Sequence, residues 1–129
     1  MKFMSVFESL THAKLKDCIQ QPERLVFVVQ QGEMGKALGR NGSNIRRLES
    51  LIKKNIKIVE FSEDIKQFIT SYIYPIRVQR IDEQDSIITI TGSDTRTKGL
   101  LIGRDAKNLS ALKDAVSRFF SHIQDIKVV

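Results

Sequence analysis

Apolar residues fall in short blocks along this chain, and their period changes from block to block. Leu25-Val26-Phe27-Val28-Val29 is an unbroken β-branched and aromatic run, the pattern of a buried strand. Pro22 marks a turn ahead of it, with Cys18-Ile19 as a short partner strand. Gln31-Gly32-Glu33 reads as a turn, Met34 to Leu38 as a short helix and Gly39-Arg40-Asn41-Gly42 as a tight loop. Ile45, Leu48, Leu51 and Ile52 recur at helical spacing and predict an amphipathic helix over 43–54. From Ile56 to Phe61 apolar and polar residues alternate, as in a half-buried strand.

Ser62 is placed to cap a further helix, with Glu63 and Asp64 in the first turn, where negative charge is favoured. Its apolar stripe is Ile65, Phe68, Ile69, Tyr72 and Ile73, and Pro75 ends it. Strands are predicted over 76–82 and 86–92, separated by a polar turn at Asp82-Glu83-Gln84-Asp85. A helix over 95–102, a loop Gly103-Arg104-Asp105-Ala106, a helix over 107–121 and a strand over 124–129 complete the chain.

The second half repeats the first. At a shift of 64 positions Gly35 falls on Gly99, Gly39 on Gly103, Arg40 on Arg104, Asn44 on Asn108 and Leu48 on Leu112. The closing strands match at a shift of 70, Ile56-Lys57-Ile58-Val59 over Ile126-Lys127-Val128-Val129, so the second copy holds 6 more residues in its last helix or the turn after it. Each copy reads helix–strand–strand–helix–loop–helix–strand. The expected class is α+β, an α/β sandwich of two tandem domains over 1–62 and 63–129, each a three-stranded sheet with helices on one face.

Charge sharpens this picture. The net charge of +6 over 129 residues suits polyanionic partners. Residues 36–57 hold seven basic residues and one acidic, net +6; residues 96–118 hold six and two, net +4; residues 60–95 hold three and seven, net −4. Positive charge is therefore concentrated on the two loop–helix units. Cys18 is the single cysteine, which excludes an intrachain disulfide and fits a reducing, cytoplasmic setting. Residues 1–10 have no signal-peptide pattern, and no run approaches the ~18 apolar residues of a membrane span. His12 and His122 stand alone, and no nucleophile elbow or P-loop occurs, so neither an enzyme nor a metal or cofactor site is expected.

Glycines at both ends of the first loop allow a tight turn and close approach of a ligand, and the helix after it offers N–H groups that favour a phosphate oxygen. The plain alternative is that Gly39 and Gly42 are helix-cap and turn glycines. Likewise Arg46 and Arg47 suit a solvated helix face, and Phe27, Phe61, Phe68, Phe119 and Phe120 read as core. Ala37, Leu38 and Ile45 suit both a core and the floor of a groove beside the loop.

Gly-Arg-Asn-Gly between two short helices, after an aliphatic residue and before an Ile/Leu-patterned helix, resembles the GxxG signature of KH domains, whose loops clamp about four nucleotides. The element order resembles the type II arrangement. Two such modules in so short a chain, with Arg24 to Val29, Gly32 to Gly39 and Val59 to Asp64, resemble the archaeal NusA-like transcription factors. The resemblance covers nearly the whole chain and implies single-stranded RNA, a nascent transcript or an rRNA leader, as ligand. It also implies a role in transcription elongation or termination, with RNA polymerase as a further partner. The additional polymerase-binding and S1 domains of bacterial NusA are not expected in 129 residues. The RNA-binding candidates are Lys36, Gly39, Arg40, Asn41, Gly42, Ser43, Asn44 and Arg47 in the first copy and Gly103, Arg104 and Lys107 in the second. Ala106 replaces the last loop glycine and is expected to resist a positive φ; Asp105 adds a negative charge, so the second loop is expected to grip less well. A KH factor of ribosome assembly or RNA processing, or a KH protein-interaction scaffold, is the alternative.

Overall fold

The computed structural model describes residues 2–129, which divide into two units, the first ending at Glu63 and the second beginning at Asp64. In the first, helix α1 (Lys2–Thr11) precedes strands β1 (Leu15–Gln20) and β2 (Leu25–Val29). Helices α2 (Met34–Leu38) and α3 (Ser43–Ile52) and strand β3 (Ile56–Glu60) follow. The sheet order is β1-β2-β3, with β1 antiparallel and β3 parallel to the central β2.

Strand alternation sends Leu25, Phe27 and Val29 to one face of β2, where they meet Ile56 and Ile58 of β3. Phe7 of α1, Ala37 of α2 and Leu48 of α3 close over that face, and the Phe7 ring stacks on Phe27 at 4.4 Å. All three helices thus cover one face of this sheet. Val26 and Val28, on the opposite face, are buried as well.

The second unit has the same order: α4 (Ile65–Ile73), β4 (Arg80–Gln84), β5 (Ile87–Thr91), α5 (Thr95–Ile102), α6 (Lys107–Phe119) and β6 (Asp125–Val128). Its sheet runs β4-β5-β6, again antiparallel and then parallel. Ile88, Ile90 and Ile126 of the sheet and Leu101, Leu112 and Val116 of the helices are buried, and Phe68 of α4 meets Phe119 at 5.5 Å and Phe120 at 5.6 Å.

Several boundaries differ from the sequence reading. The cap of α4 is Asp64, whose carboxylate accepts the Lys66 N–H at 2.9 Å; Ser62 is buried ahead of the helix. The strand expected over 76–82 starts only at Arg80, because the Ile76 N–H still closes a turn on the Ile73 carbonyl. The turn expected at 82–85 is the two-residue Asp85-Ser86 link, with φ of 52° and 65°, as in a type I′ hairpin. Helix α3 stops at Ile52 rather than 54 because Lys53 turns left-handed (φ 61°), and α6 stops at Phe119 rather than 121. The partner strand seen at Cys18-Ile19 is longer, with a bulge between Leu15 and Asp17.

Candidate nucleic-acid interface

Helix α2 ends because Gly39 leaves helical space, at φ 69° and ψ −176°. One tight turn over Arg40–Gly42 then reverses direction, with Asn41 (φ 55°, ψ 32°) and Gly42 (φ 68°, ψ 20°) both left-handed, and α3 starts at Ser43. The Ser43 N–H returns to the Arg40 carbonyl, and no side chain caps the amides at the start of α3. Arg40 and Asn41 are exposed at the tip. The loop is thus a solvent-facing junction between two helices.

Asn44 fastens the junction from below. Its amide donates to the Lys36 carbonyl at 3.1 Å, tying α3 back to α2. A Cβ on Gly39 would lie 2.7 Å from Asn44 Nδ2, so Gly39 is required twice, by its dihedrals and by this side chain. Gly42 differs: a Cβ there would meet nothing within 4 Å. Arg46 braces the tip, its guanidinium donating to the Asn41 carbonyl at 3.1 Å.

The second junction repeats this geometry. Gly103 has φ 74° and ψ 171°, Asp105 φ 55° and ψ 30°, and Ala106 φ 59° and ψ 22°. The expectation that Ala106 resists a positive φ is therefore overturned: the left-handed well admits alanine at a modest cost, and the residue is exposed. Asn108 donates to the Leu100 carbonyl at 2.9 Å, and a Cβ on Gly103 would lie 2.6 Å from Asn108 Cγ.

Electrostatically the two loops differ. Lys36, Arg40, Arg46 and Arg47 are exposed around the first. Lys36, itself exposed, lies 3.7 Å from the half-buried Glu33, a long and hence weak pair. The Lys14 amide, donating at 2.8 Å, holds the Glu33 carboxyl below its ordinary range, with the Lys36 charge adding to the effect. Around the second loop Arg104 and Lys107 are exposed beside Asp105, and Leu100 stands where Lys36 stands in the first.

Beside the first loop Ala37 is buried and Met34, Leu38 and Ile45 are half-buried against the core, leaving part of each apolar side chain open next to the basic rim. Of the aromatics read as core, Phe27, Phe68 and Phe120 are buried, while Phe61 and Phe119 are half-buried and Phe61 takes the Lys16 ammonium over its ring at 4.5 Å.

The structure brings Lys36, Gly39, Arg40, Asn41, Gly42, Ser43 and Asn44 together in the first junction and Gly103, Arg104 and Lys107 in the second. Arg47 lies on α3, exposed, one residue beyond the brace. Sequence reasoning missed the brace by Arg46 and the bridging role of Asn44, although Asn108 recurring at the shift of 64 was the signal for the latter. Among the described residues no group of three or more His, Cys, Asp or Glu gathers as metal ligands, and no helix is long and apolar enough to cross a membrane.

Residues 4–66 match the KH domain family. The chain is 31% identical to a "Probable transcription termination protein NusA" of Methanococcus vannielii, over 98% of this chain and 74% of that one. It is 31% identical to the protein of the same description from Halobacterium salinarum, over 98% of this chain and 92% of that one. Among solved structures it is similar to the crystal structure of APE1850, with a TM-score of 0.78 and 28% identity, over 99% of this chain and 96% of that one.

Proposed function

The chain belongs to the family of archaeal NusA-like proteins and carries a KH domain, and from that premise we propose that it binds single-stranded RNA and acts in transcription termination or elongation. In this reading both units are KH modules in tandem, divided near residues 62 and 63, and each loop holds a short RNA segment by its backbone. The observation that carries it is the same exposed, glycine-opened helix junction at 39–42 and 103–106, each beside basic side chains.

The geometry supports a role for each residue in this reading. Gly39 and Gly103 let the sugar–phosphate strand approach the turn, and Asn44 and Asn108 hold the two helices at the angle that presents it. The uncapped amides at the start of each following helix, with Arg40 and Arg104 at the tips, meet phosphate oxygens. Lys36, Arg47 and Lys107 extend the positive rim, and Asn41, Gly42 and Ser43 line the path of the strand. The half-buried faces of Leu38 and Ile45 form the floor on which bases lie. Such a protein works by stoichiometric binding, without turnover, and two linked modules raise affinity where both engage one transcript.

The test replaces Arg40 and Asn41 together by Asp and measures binding of a fluorescent single-stranded RNA by anisotropy across a salt series. Affinity should fall steeply. Wild-type affinity should decline with salt at a log–log slope of roughly −0.7 per phosphate contacted, and the variant's slope should be shallower. A folded variant with unchanged affinity would refute the site. Association with RNA polymerase, against association with pre-ribosomal particles, separates the transcription role from RNA processing.

A further inference from the structure

Away from both loops, the second unit carries a groove of about 520 Å³ between one side of α4, the segment 74–79 and the start of β4. That volume lies within the usual range of small-ligand clefts. The groove exists because the link from α4 to β4 spans residues 74–79, whereas the link from α1 to β1 spans only 12–14. Its floor is apolar, formed by Ile73, Ile76 and Ile81. Its rim holds Lys66, Arg77 and Arg80, and no acidic residue lines it. Arg80 is held by Asp82 at 2.9 Å, while the Lys66 ammonium and the Arg77 guanidinium make no ion pair among the described residues. Tyr74, at 72% exposure, offers an aromatic ring on the same rim.

We propose that this groove is a second contact site for the same single-stranded RNA, with an unpaired base stacked on Tyr74 and its phosphates held by Lys66 and Arg77. An aromatic face between cations is how single strands are held without sequence readout: the ring takes any base, and the charges follow the backbone. The net positive rim favours a polyanion, and the apolar floor with its ring favours one that carries flat, unpaired bases. The inference rests on the RNA-binding reading but involves none of the loop residues, so the two can fail separately.

The experiment uses the full chain and a mixed-sequence, single-stranded RNA of about 20 nucleotides carrying 5-iodouridine. Tyr74→Ala and Arg77→Glu, made separately on the exposed rim, should each weaken binding roughly tenfold at low salt. Tyr74→Phe should keep wild-type affinity, because it keeps the ring. Photocrosslinking should place an adduct on the peptide holding Tyr74, and this adduct should persist when Arg40 and Asn41 are replaced by Asp. Wild-type chain that fails to bind the RNA at all overturns the RNA-binding reading and this site together. Wild-type binding with unchanged affinity in both rim variants and no adduct at Tyr74 overturns the groove alone. Displacement of the RNA adduct by a poly-glutamate peptide at lower concentration than unlabelled RNA would overturn it in favour of a protein partner.

Discussion

Gly39→Ala is the sharpest probe of the junction, because the structure assigns it two separate costs. At φ 69° and ψ −176° the residue occupies a region that is essentially restricted to glycine, worth about 1–3 kcal/mol of strain for alanine. The new methyl would also sit 2.7 Å from Asn44 Nδ2 and push that amide off the Lys36 carbonyl, forfeiting about 0.5–1.5 kcal/mol. Together these predict a loss of about 1.5–4.5 kcal/mol. Gly42→Ala is the control. It too lies at positive φ, but a methyl there meets nothing within 4 Å, so only left-handed strain remains, partly offset by a stiffer unfolded chain, for a net of about 0.5–1 kcal/mol. Urea unfolding followed by NMR at the Val26 and Val28 amides reads the stability of this unit specifically. Adding Asn44→Ala should shrink the cost of Gly39→Ala to its strain component, and the cycle measures that coupling. Equal losses for Gly39→Ala and Gly42→Ala, within about 0.5 kcal/mol, would show that Asn44 is not the constraint described here.

Arg46→Ala should leave stability within about 0.5 kcal/mol, since its bond to Asn41 is exposed, yet lower the amide order parameters of Asn41 and Gly42 and weaken RNA binding; unchanged order parameters would remove its bracing role. Phe27→Ala deletes a fully buried ring stacked on Phe7 and should cost about 3–5 kcal/mol in urea unfolding. Burial, with repulsion from Arg24 added, pushes the Lys57 ammonium down to about 8 from its ordinary 10.5. The unfolded chain therefore holds this proton more tightly between those values, so stability should rise with pH from about 8 to 10.5 and the cost should be constant below 8. Lys57→Met should remove that slope and raise stability at pH 7; an identical pH profile for wild type and variant would count against it.

What the sequence revealed and what it hid follow from different physics. The order of elements was legible because burial writes a period into the chain: five consecutive apolar residues made β2, and the stripe from Ile65 to Ile73 made α4. Ends were harder, because a single residue's dihedral decides them. Lys53 ends α3 at positive φ without a glycine, and nothing in its identity announces it; Asp85-Ser86 announced a turn by composition but not its two-residue position. The groove at 74–79 was invisible for another reason. Ile76 and Val78 look like strand residues by pattern, yet the hydrogen bond from Ile76 back to Ile73 holds a turn where the strand was expected.

The two loops act as a comparison already made within one chain. Gly39, Arg40 and Asn44 recur as Gly103, Arg104 and Asn108, whereas Asn41 becomes Asp105 and Gly42 becomes Ala106. The dihedrals are nearly the same in both copies, so the positions that changed are those where the fold tolerates change. The first glycine and the asparagine cannot vary independently, because one occupies the space the other would need. Of the two GxxG glycines, the first therefore reports the geometry and the second only the ease of a left-handed turn. Charge does not follow the same rule. Arg46 and Arg47 become Ser110 and Ala111 and Lys36 becomes Leu100, while Ser43 becomes Lys107, so the second junction keeps the shape while losing three cations and gaining one. Under the RNA reading, shape and charge have been separated between the copies: the first loop carries most of the salt-dependent affinity, and the second positions the strand with weaker electrostatic hold.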